Sequence, residues 1–120
     1  MTFGNCVILG TDATLEHEHE FSCYPNPFGD FSHPTTSFNY YIAHDSDITL
    51  EIYSVDNEMV WKQTFSSKEP QGKAGLHDGS NTIKWDGRND SGTIQLSGIY
   101  LAYLVINNSA RTHTQIAIVK

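Results

Sequence analysis

The sequence predicts an all-β protein, an antiparallel β-sandwich built from six or seven short strands. Three observations carry that expectation. Apolar residues recur with period two along most of the chain, the spacing of half-buried strands. No stretch of a dozen residues shows the 3.6-residue apolar spacing of an amphipathic helix. The strand-like runs are separated at intervals of about 8–12 residues by turn-forming residues, as in all-β sandwiches.

The first twenty residues differ from the rest. "FGNCVIL" has the composition of a strand, and "TDATLEHEHE" is polar and acidic. We therefore read residues 1–20 as an N-terminal connector with an extra edge strand, and residues 21–120 as the compact module.

Within that module, "TTSFNYYI" puts Thr36, Phe38, Tyr40 and Ile42 on one face and Ser37, Asn39 and Tyr41 on the other. In "DITLEIYSV", Ile48, Leu50 and Ile52 alternate with Thr49, Glu51 and Tyr53. "EMVWKQTF" sets Trp61 and Phe65 on a common face. Asp56-Asn57 between these last two runs is hairpin chemistry, because Asn and Asp tolerate the left-handed conformation that tight turns need. "SSKEPQGKAGLHDGS", with a proline and three glycines, reads as a mobile connection between sheets. "NTIKWD" pairs Ile83 with Trp85, and "THTQIAIVK" sets Ile116 and Ile118 against Gln115, Ala117 and Val119. "GIYLAYLVIN" is apolar on both faces, the pattern of a central strand covered on two sides. His44-Asp45-Ser46-Asp47 and Asn107-Asn108-Ser109 supply further turns.

Composition bounds the function. A chain of 120 residues, 38% apolar and 12% aromatic, supports one modest core. Seven basic and fourteen acidic residues give a net charge of −7 with no basic stripe. That balance argues against nucleic acid and against an anionic membrane surface as partners. There is no charged leader before an apolar core and no apolar run near 18 residues, so neither a signal peptide nor membrane insertion is expected. Cys6 and Cys23 are compatible with one disulfide, worth roughly 3 kcal/mol if unstrained, and with an oxidising compartment. They are equally compatible with two buried thiols, which behave as small hydrophobes.

The acidic loop Asp86-Gly87-Arg88-Asn89-Asp90-Ser91-Gly92 invites a calcium-site reading. An EF-hand loop starting at Asp86 would put Arg88 at the third position, Ser91 at the sixth and Ser97 at the twelfth. Those positions call for an oxygen ligand, glycine and glutamate, so the pattern fails. As a turn the stretch makes sense: Gly87 and Gly92 permit positive φ, and Asp86 and Asn89 can accept from nearby backbone N–H groups. His17 and His19 in "EHEHE" would point the same way on a strand, but no third ligand follows by spacing, and a polar connector accounts for them. No metal and no cofactor are expected.

Catalysis is not expected either. The sequence has no G-x-S-x-G, no Cys beside a His in a known arrangement and no phosphate loop. Asp45 and Asp47 are paired carboxylates, but in a turn, where solvation explains them. "NNS" and "NDS" match the glycosylation pattern, yet both lie where turns favour Asn anyway. Tyr41 and Tyr53 fall opposite the apolar rows of their strands and offer a saccharide-binding alternative, although β propensity alone favours aromatics there.

Four motifs in order carry a resemblance. "YPNPF" at 24–28 precedes the first core strand. "ITLEIYSVDNEMVW" is a strand, a short turn and a second strand. "NTIKWDGRNDSG" is followed by "GIYLAYLVI", and the sequence closes on "IAIVK". Together these resemble the immunoglobulin-like domain of the flagellar hook-capping (FlgD-like) family, a pattern shared with C-terminal sorting domains of type IX secretion. The resemblance covers residues 21–120 and implies an antiparallel immunoglobulin-like β-sandwich of about seven strands, without catalysis or cofactor. Its motif residues here are Pro25, Asn26, Pro27, Phe28, Trp85, Asp86, Gly87, Gly92, Gly98, Tyr100 and Lys120. The prolines would hold an extended entry, Trp85 would fill the core, Asp86 and Gly87 would close its strand, and Gly98 would let the chain turn before Tyr100. The ending is less basic than is typical of sorting domains, with only Arg111 and Lys120 in "ARTHTQIAIVK".

The resemblance thus implies the C-terminal module of a larger bacterial protein, secreted or at the cell surface. Its partners would be secretion machinery or a neighbouring domain, contacted through Asn26-Pro27-Phe28 and the terminal strand. The alternative is a module that binds a surface polysaccharide or a scaffold protein through exposed aromatics and loops.

Overall fold

The computed structural model of the chain describes residues 21–78 and 82–120. The connector expected over 1–20 lies outside the described residues. So do Cys6, one of the two cysteines whose pairing the sequence leaves open, and both histidines of "EHEHE".

Among the described residues, eight strands run in order: β1 (Phe21–Tyr24), β2 (Thr36–Ile42), β3 (Ile48–Ser54), β4 (Met59–Phe65), β5 (Gly75–His77), β6 (Lys84–Trp85), β7 (Gly98–Ile106) and β8 (Ala110–Ile118). They form two antiparallel sheets. One has β2 between β1 on one side and β5 and β6 on the other; the second has the order β4-β3-β7-β8. The sheets pack face to face as an immunoglobulin-like β-sandwich. The expected count of about seven strands holds if β5 and β6 are one interrupted strand. Between the pairs Tyr40↔His77 and Thr36↔Trp85, β2 advances four residues while its partner advances eight. The Phe38 N–H donates to the Ile83 carbonyl at 2.9 Å, and the Thr82 hydroxyl donates to the Phe38 carbonyl, which brings the strand back into line.

The inward rows are those the alternation predicts. Phe21 and Cys23 of β1, Phe38, Tyr40 and Ile42 of β2, Ile48, Leu50 and Ile52 of β3, Tyr100, Ala102 and Leu104 of β7, and Ile116 and Ile118 of β8 are buried in one core. Trp85 is its hub, with ring centroids 5.6 Å from Phe28, 5.8 Å from Tyr100 and 6.4 Å from Trp61. The β7 expectation needs correction. Ile99, Leu101, Tyr103 and Val105 on its other face are half-exposed, so among the described residues the strand is covered on one side.

Turn chemistry sets the hairpins. Asn57 (φ 71°) closes β3–β4, where the Asn57 N–H donates to the Ser54 carbonyl. Asn107 and Asn108 (φ 52° and 60°) close β7–β8 with both central residues left-handed, the geometry that matches strand twist. The connection expected to be mobile is held by hydrogen bonds over residues 66–74. Asp47 Oδ1 accepts from the Ser67 N–H and Asp45 Oδ1 from the Ala74 N–H, both at 2.8 Å. The Tyr40 hydroxyl donates to the Gln71 carbonyl at 2.7 Å, and a 3-10 turn at Pro70–Gly72 sits against Ser46.

Candidate functional site

Strand β8 is the last of its sheet, so its outer backbone groups need partners or exposure to water. The segment after β1 supplies partners. Proline has no N–H to offer, so Pro25 and Pro27 cannot donate to a ladder; both of their preceding peptide bonds are cis. The Asn26 side-chain amide, which is both donor and acceptor, stands in for a strand residue. Its Oδ1 accepts from the Ala117 N–H at 2.9 Å, and its Nδ2 donates to the Gln115 carbonyl at 3.3 Å. One step on, the Phe28 N–H donates to the Ala117 carbonyl at 3.0 Å, and the Phe28 carbonyl accepts from the Val119 N–H at 2.9 Å. Phe28 thus forms a parallel bridge to Ile118, while its ring enters the core beside Trp85. The Thr36 hydroxyl holds the start of this clamp by donating to the Pro25 carbonyl at 2.7 Å.

The Asp86–Gly92 loop is a turn. Asp86 Oδ1 accepts from the Arg88 N–H at 3.1 Å, and Asn89 Oδ1 accepts from the Ser91 and Thr93 N–H groups at 2.9 Å. Gly87 and Gly92 take φ of +80° and +88°. The indole N–H of Trp85 donates to the Arg88 carbonyl at 2.8 Å, which ties the turn to the core. Its acids are separately engaged. Asp86 Oδ2 lies 3.6 Å from Arg88 Nε, while the Asp90 N–H donates to the Val60 carbonyl at 3.1 Å and Asp90 Oδ1 accepts from the Lys62 N–H at 3.4 Å. Asp90 therefore caps the outer edge of β4 much as Asn26 caps β8. Among the described residues, no group of three or more His, Cys, Asp or Glu is placed to hold a metal ion.

The chain then returns toward β8. The Tyr100 hydroxyl donates to the Leu96 carbonyl at 2.7 Å, and burial raises its pKa. Gly98 begins β7 opposite Ile118, and the Lys120 N–H donates to Ser97 Oγ at 3.1 Å. Between these segments lies a groove of about 360 Å³. Phe28, Pro34, Ile94 and Ile118 form its apolar lining, and Asp86, Arg88 and Lys120 are its charged groups.

Most of the motif residues therefore meet at one end of the sandwich. Asn26 and Phe28 hold the end of β8; Phe28, Asp86, Gly87 and Lys120 line the groove; Trp85 and Tyr100 pack beneath. Gly92 stands apart at the tip of its turn, where an added Cβ would meet nothing within 4 Å. The two tyrosines singled out for saccharide contact are not brought together. Tyr41 is half-buried on the β1–β2 sheet. Tyr53, on the other sheet, donates to Glu51 Oε1 at 3.2 Å and meets Tyr103 edge-on at 5.6 Å. Missed from the sequence were Ile94 and Arg88 as groove residues, the exposed Phe31 and Leu96, and Gly72. A Cβ at Gly72 would collide with the carbonyl oxygens of Ser66 and Ser46. Only the Gly in "PQGK" hinted at that last contact.

No family model matches the chain, and no curated protein matches it. Solved structures do. The chain is similar to PorZ, an essential bacterial surface component of the type IX secretion system of Porphyromonas gingivalis, at 14% identity and TM-score 0.54, covering 83% of this chain and 11% of that one. It is also similar to dimeric latent PorU from Porphyromonas gingivalis, at 21% identity and TM-score 0.58, covering 81% of this chain and 9% of that one. At these identities the likeness is one of fold. The chain spans about a tenth of the length of either structure.

Proposed function

We propose that this chain is a non-catalytic FlgD-like module at the C-terminus of a larger bacterial protein, secreted or held at the cell surface. It serves in sorting, attachment or contact between domains. The observation that carries the reading is the clamp. The two elements that the motif resemblance singles out, Asn26-Pro27-Phe28 and the terminal strand, are bonded into one unit through Ala117 and Val119. Such a unit offers a partner a rigid end instead of a fraying strand. The fold likeness to parts of PorZ and PorU, both much longer chains, supports a module within a larger protein and makes type IX machinery the first partner to test.

The test fuses residues 1–120 behind an inert exported reporter in a host with type IX machinery. Arrival at the medium or surface supports the reading; retention in the periplasm of a folded fusion overturns the sorting role. Deleting residues 115–120 is a blunt control, because it removes the buried Ile116 and Ile118 along with the strand end. A charge change at exposed Val119 or Lys120 alters the end of the chain without emptying the core.

A further inference from the structure

We propose that the edge of β8 at Arg111–His113 takes up one more strand, an extended segment of a partner protein with acidic residues two apart; this rests on the reading of the domain as a contact module. The backbone selects a strand. Ala117 turns its N–H and C=O to the outer edge, where Asn26 and Phe28 bond them. β8 keeps an unbroken register with β7, so by the period of two His113 and Arg111 turn theirs to the same edge. No described residue bonds those outer groups of Arg111 and His113, and both residues are exposed. Phe28 shows that the edge accepts a strand, because it bridges Ile118 in parallel. The Asn26 amide covers the edge at the Gln115 carbonyl and the Ala117 N–H, short of His113. Unpaired ladder groups of this kind are a template for strand addition.

Charge selects which strand. Arg111 and His113 stand opposite Val105 and Tyr103, on the half-exposed face of β7. The Arg111 guanidinium lies 4.6 Å over the Tyr103 ring, and the His113 ring is 5.6 Å from it. In a chain of net charge −7, the stretch from Gly98 to Lys120 has no Asp or Glu. Glu51 is the one acid in the four strands of this sheet. It lies on β3, beyond β7, where it accepts from the Tyr53 hydroxyl at 3.2 Å and faces Lys62 across the ladder. An antiparallel newcomer places residues two apart opposite His113 and Arg111, with their side chains on this same face. Acids there complement the guanidinium, and bases are repelled. A second copy of β8 is the wrong occupant, because pairing the two edges crowds two Arg111 guanidiniums onto one short ladder.

The probes are the capped heptapeptide Thr-Val-Glu-Val-Glu-Val-Thr, its Gln and Lys counterparts, and the Glu peptide N-methylated at both Glu residues. Each is titrated onto the full 120-residue chain, with binding read by calorimetry and amide exchange by NMR. Saturable binding in the order Glu, Gln, Lys is expected, with exchange at the Arg111 and His113 amides slowed by the Glu peptide. The N-methylated peptide, which keeps the charge but loses the ladder donors, should not bind. Arg111→Glu, an exposed change whose fold is checked by thermal unfolding, should weaken the Glu peptide about tenfold and favour the Lys peptide instead. Absence of saturable binding, equal binding of the three charge variants, binding that N-methylation leaves unchanged, or protection of the Arg111 and His113 amides already in the free chain would each overturn the proposal. Peptide binding without export of the reporter sinks the sorting role and leaves the edge site standing; export that Arg111→Glu leaves unchanged, without peptide binding, does the reverse.

Discussion

Asn26 and Ala117 are joined as two strand residues would be, though one contributes a side chain and the other its backbone. The Ala117 N–H donates to Asn26 Oδ1 at 2.9 Å, and Ala117 is only 4% exposed. The neighbouring Phe28 bonds the Ala117 carbonyl, so both polar groups of this residue are satisfied from outside its sheet. Without that clamp, the last turn of the ladder would carry an unpaired amide in a buried place.

Replacing Asn26 by Ala should therefore cost about 2 kcal/mol, the penalty for a buried donor left unsatisfied. Asn39→Ala is the control. Asn39 Nδ2 makes a 3.3 Å contact to Ser22 Oγ on a half-exposed surface, and its loss should cost only a few tenths of a kcal/mol. Urea denaturation of both variants, with unchanged m-values, checks the contrast.

The rows that build the core were legible because period two leaves little choice once one face is buried. Thr36 to Ile42 and Ile48 to Ile52 point inward as the alternation requires. The clamp was not legible in that way. Asn-Pro-Phe marks an extended entry, but nothing local says that its amide bonds a residue 91 positions later. Asp45 and Asp47 misled for the opposite reason. Acids in a turn look like solvation, yet both hold backbone N–H groups of the 66–74 connection. The second apolar row of β7 suggested a covering layer that the described residues do not supply. The groove depends on four segments meeting, which no spacing records.

The two glycines Gly72 and Gly92 should respond differently to alanine. At Gly72 the new methyl group would meet two carbonyl oxygens on fixed backbone, and we expect a loss of about 3 kcal/mol from overpacking. At Gly92 there is open space, and only the positive φ resists, at about 1 kcal/mol. Thermal unfolding of the pair separates collision from backbone strain.

Trp85 combines volume with a hydrogen bond. Trp85→Ala should cost about 4 kcal/mol, because a 1%-exposed ring at the meeting point of Phe28, Tyr100 and Trp61 leaves a cavity. Trp85→Phe keeps part of the packing but strands the Arg88 carbonyl, and should cost about 2 kcal/mol. In that variant the amides of Gly87 to Gly92 should exchange faster while the β3–β7 ladder stays protected.

Stability should fall at both pH extremes for identified reasons. The Ala74 N–H and the Lys73 ammonium hold the Asp45 carboxyl below its ordinary value of 3.8. Its contribution is present above that value and is lost as the pH drops through the lowered folded one. Burial pushes the Tyr40 hydroxyl well above its ordinary 10.0. That contribution is complete below pH 10 and fades as the pH rises past it, because only the unfolded chain ionises there. Asp45→Asn should flatten the acid limb of a stability profile and Tyr40→Phe the alkaline limb, each leaving the other unchanged.

The most direct measurement is amide hydrogen exchange along β8. The N–H groups of Ala117 and Val119 are clamped by Asn26 and Phe28, whereas Arg111 and His113, whose amides face the same side by alternation, are exposed. Strong protection is expected at Ala117 and Val119, fast exchange at Arg111 and His113, and loss of the Ala117 protection in Asn26→Ala. Equal and rapid exchange at all four amides in the unaltered chain would contradict the clamp, and with it the rigid terminal end on which the proposed contact role depends.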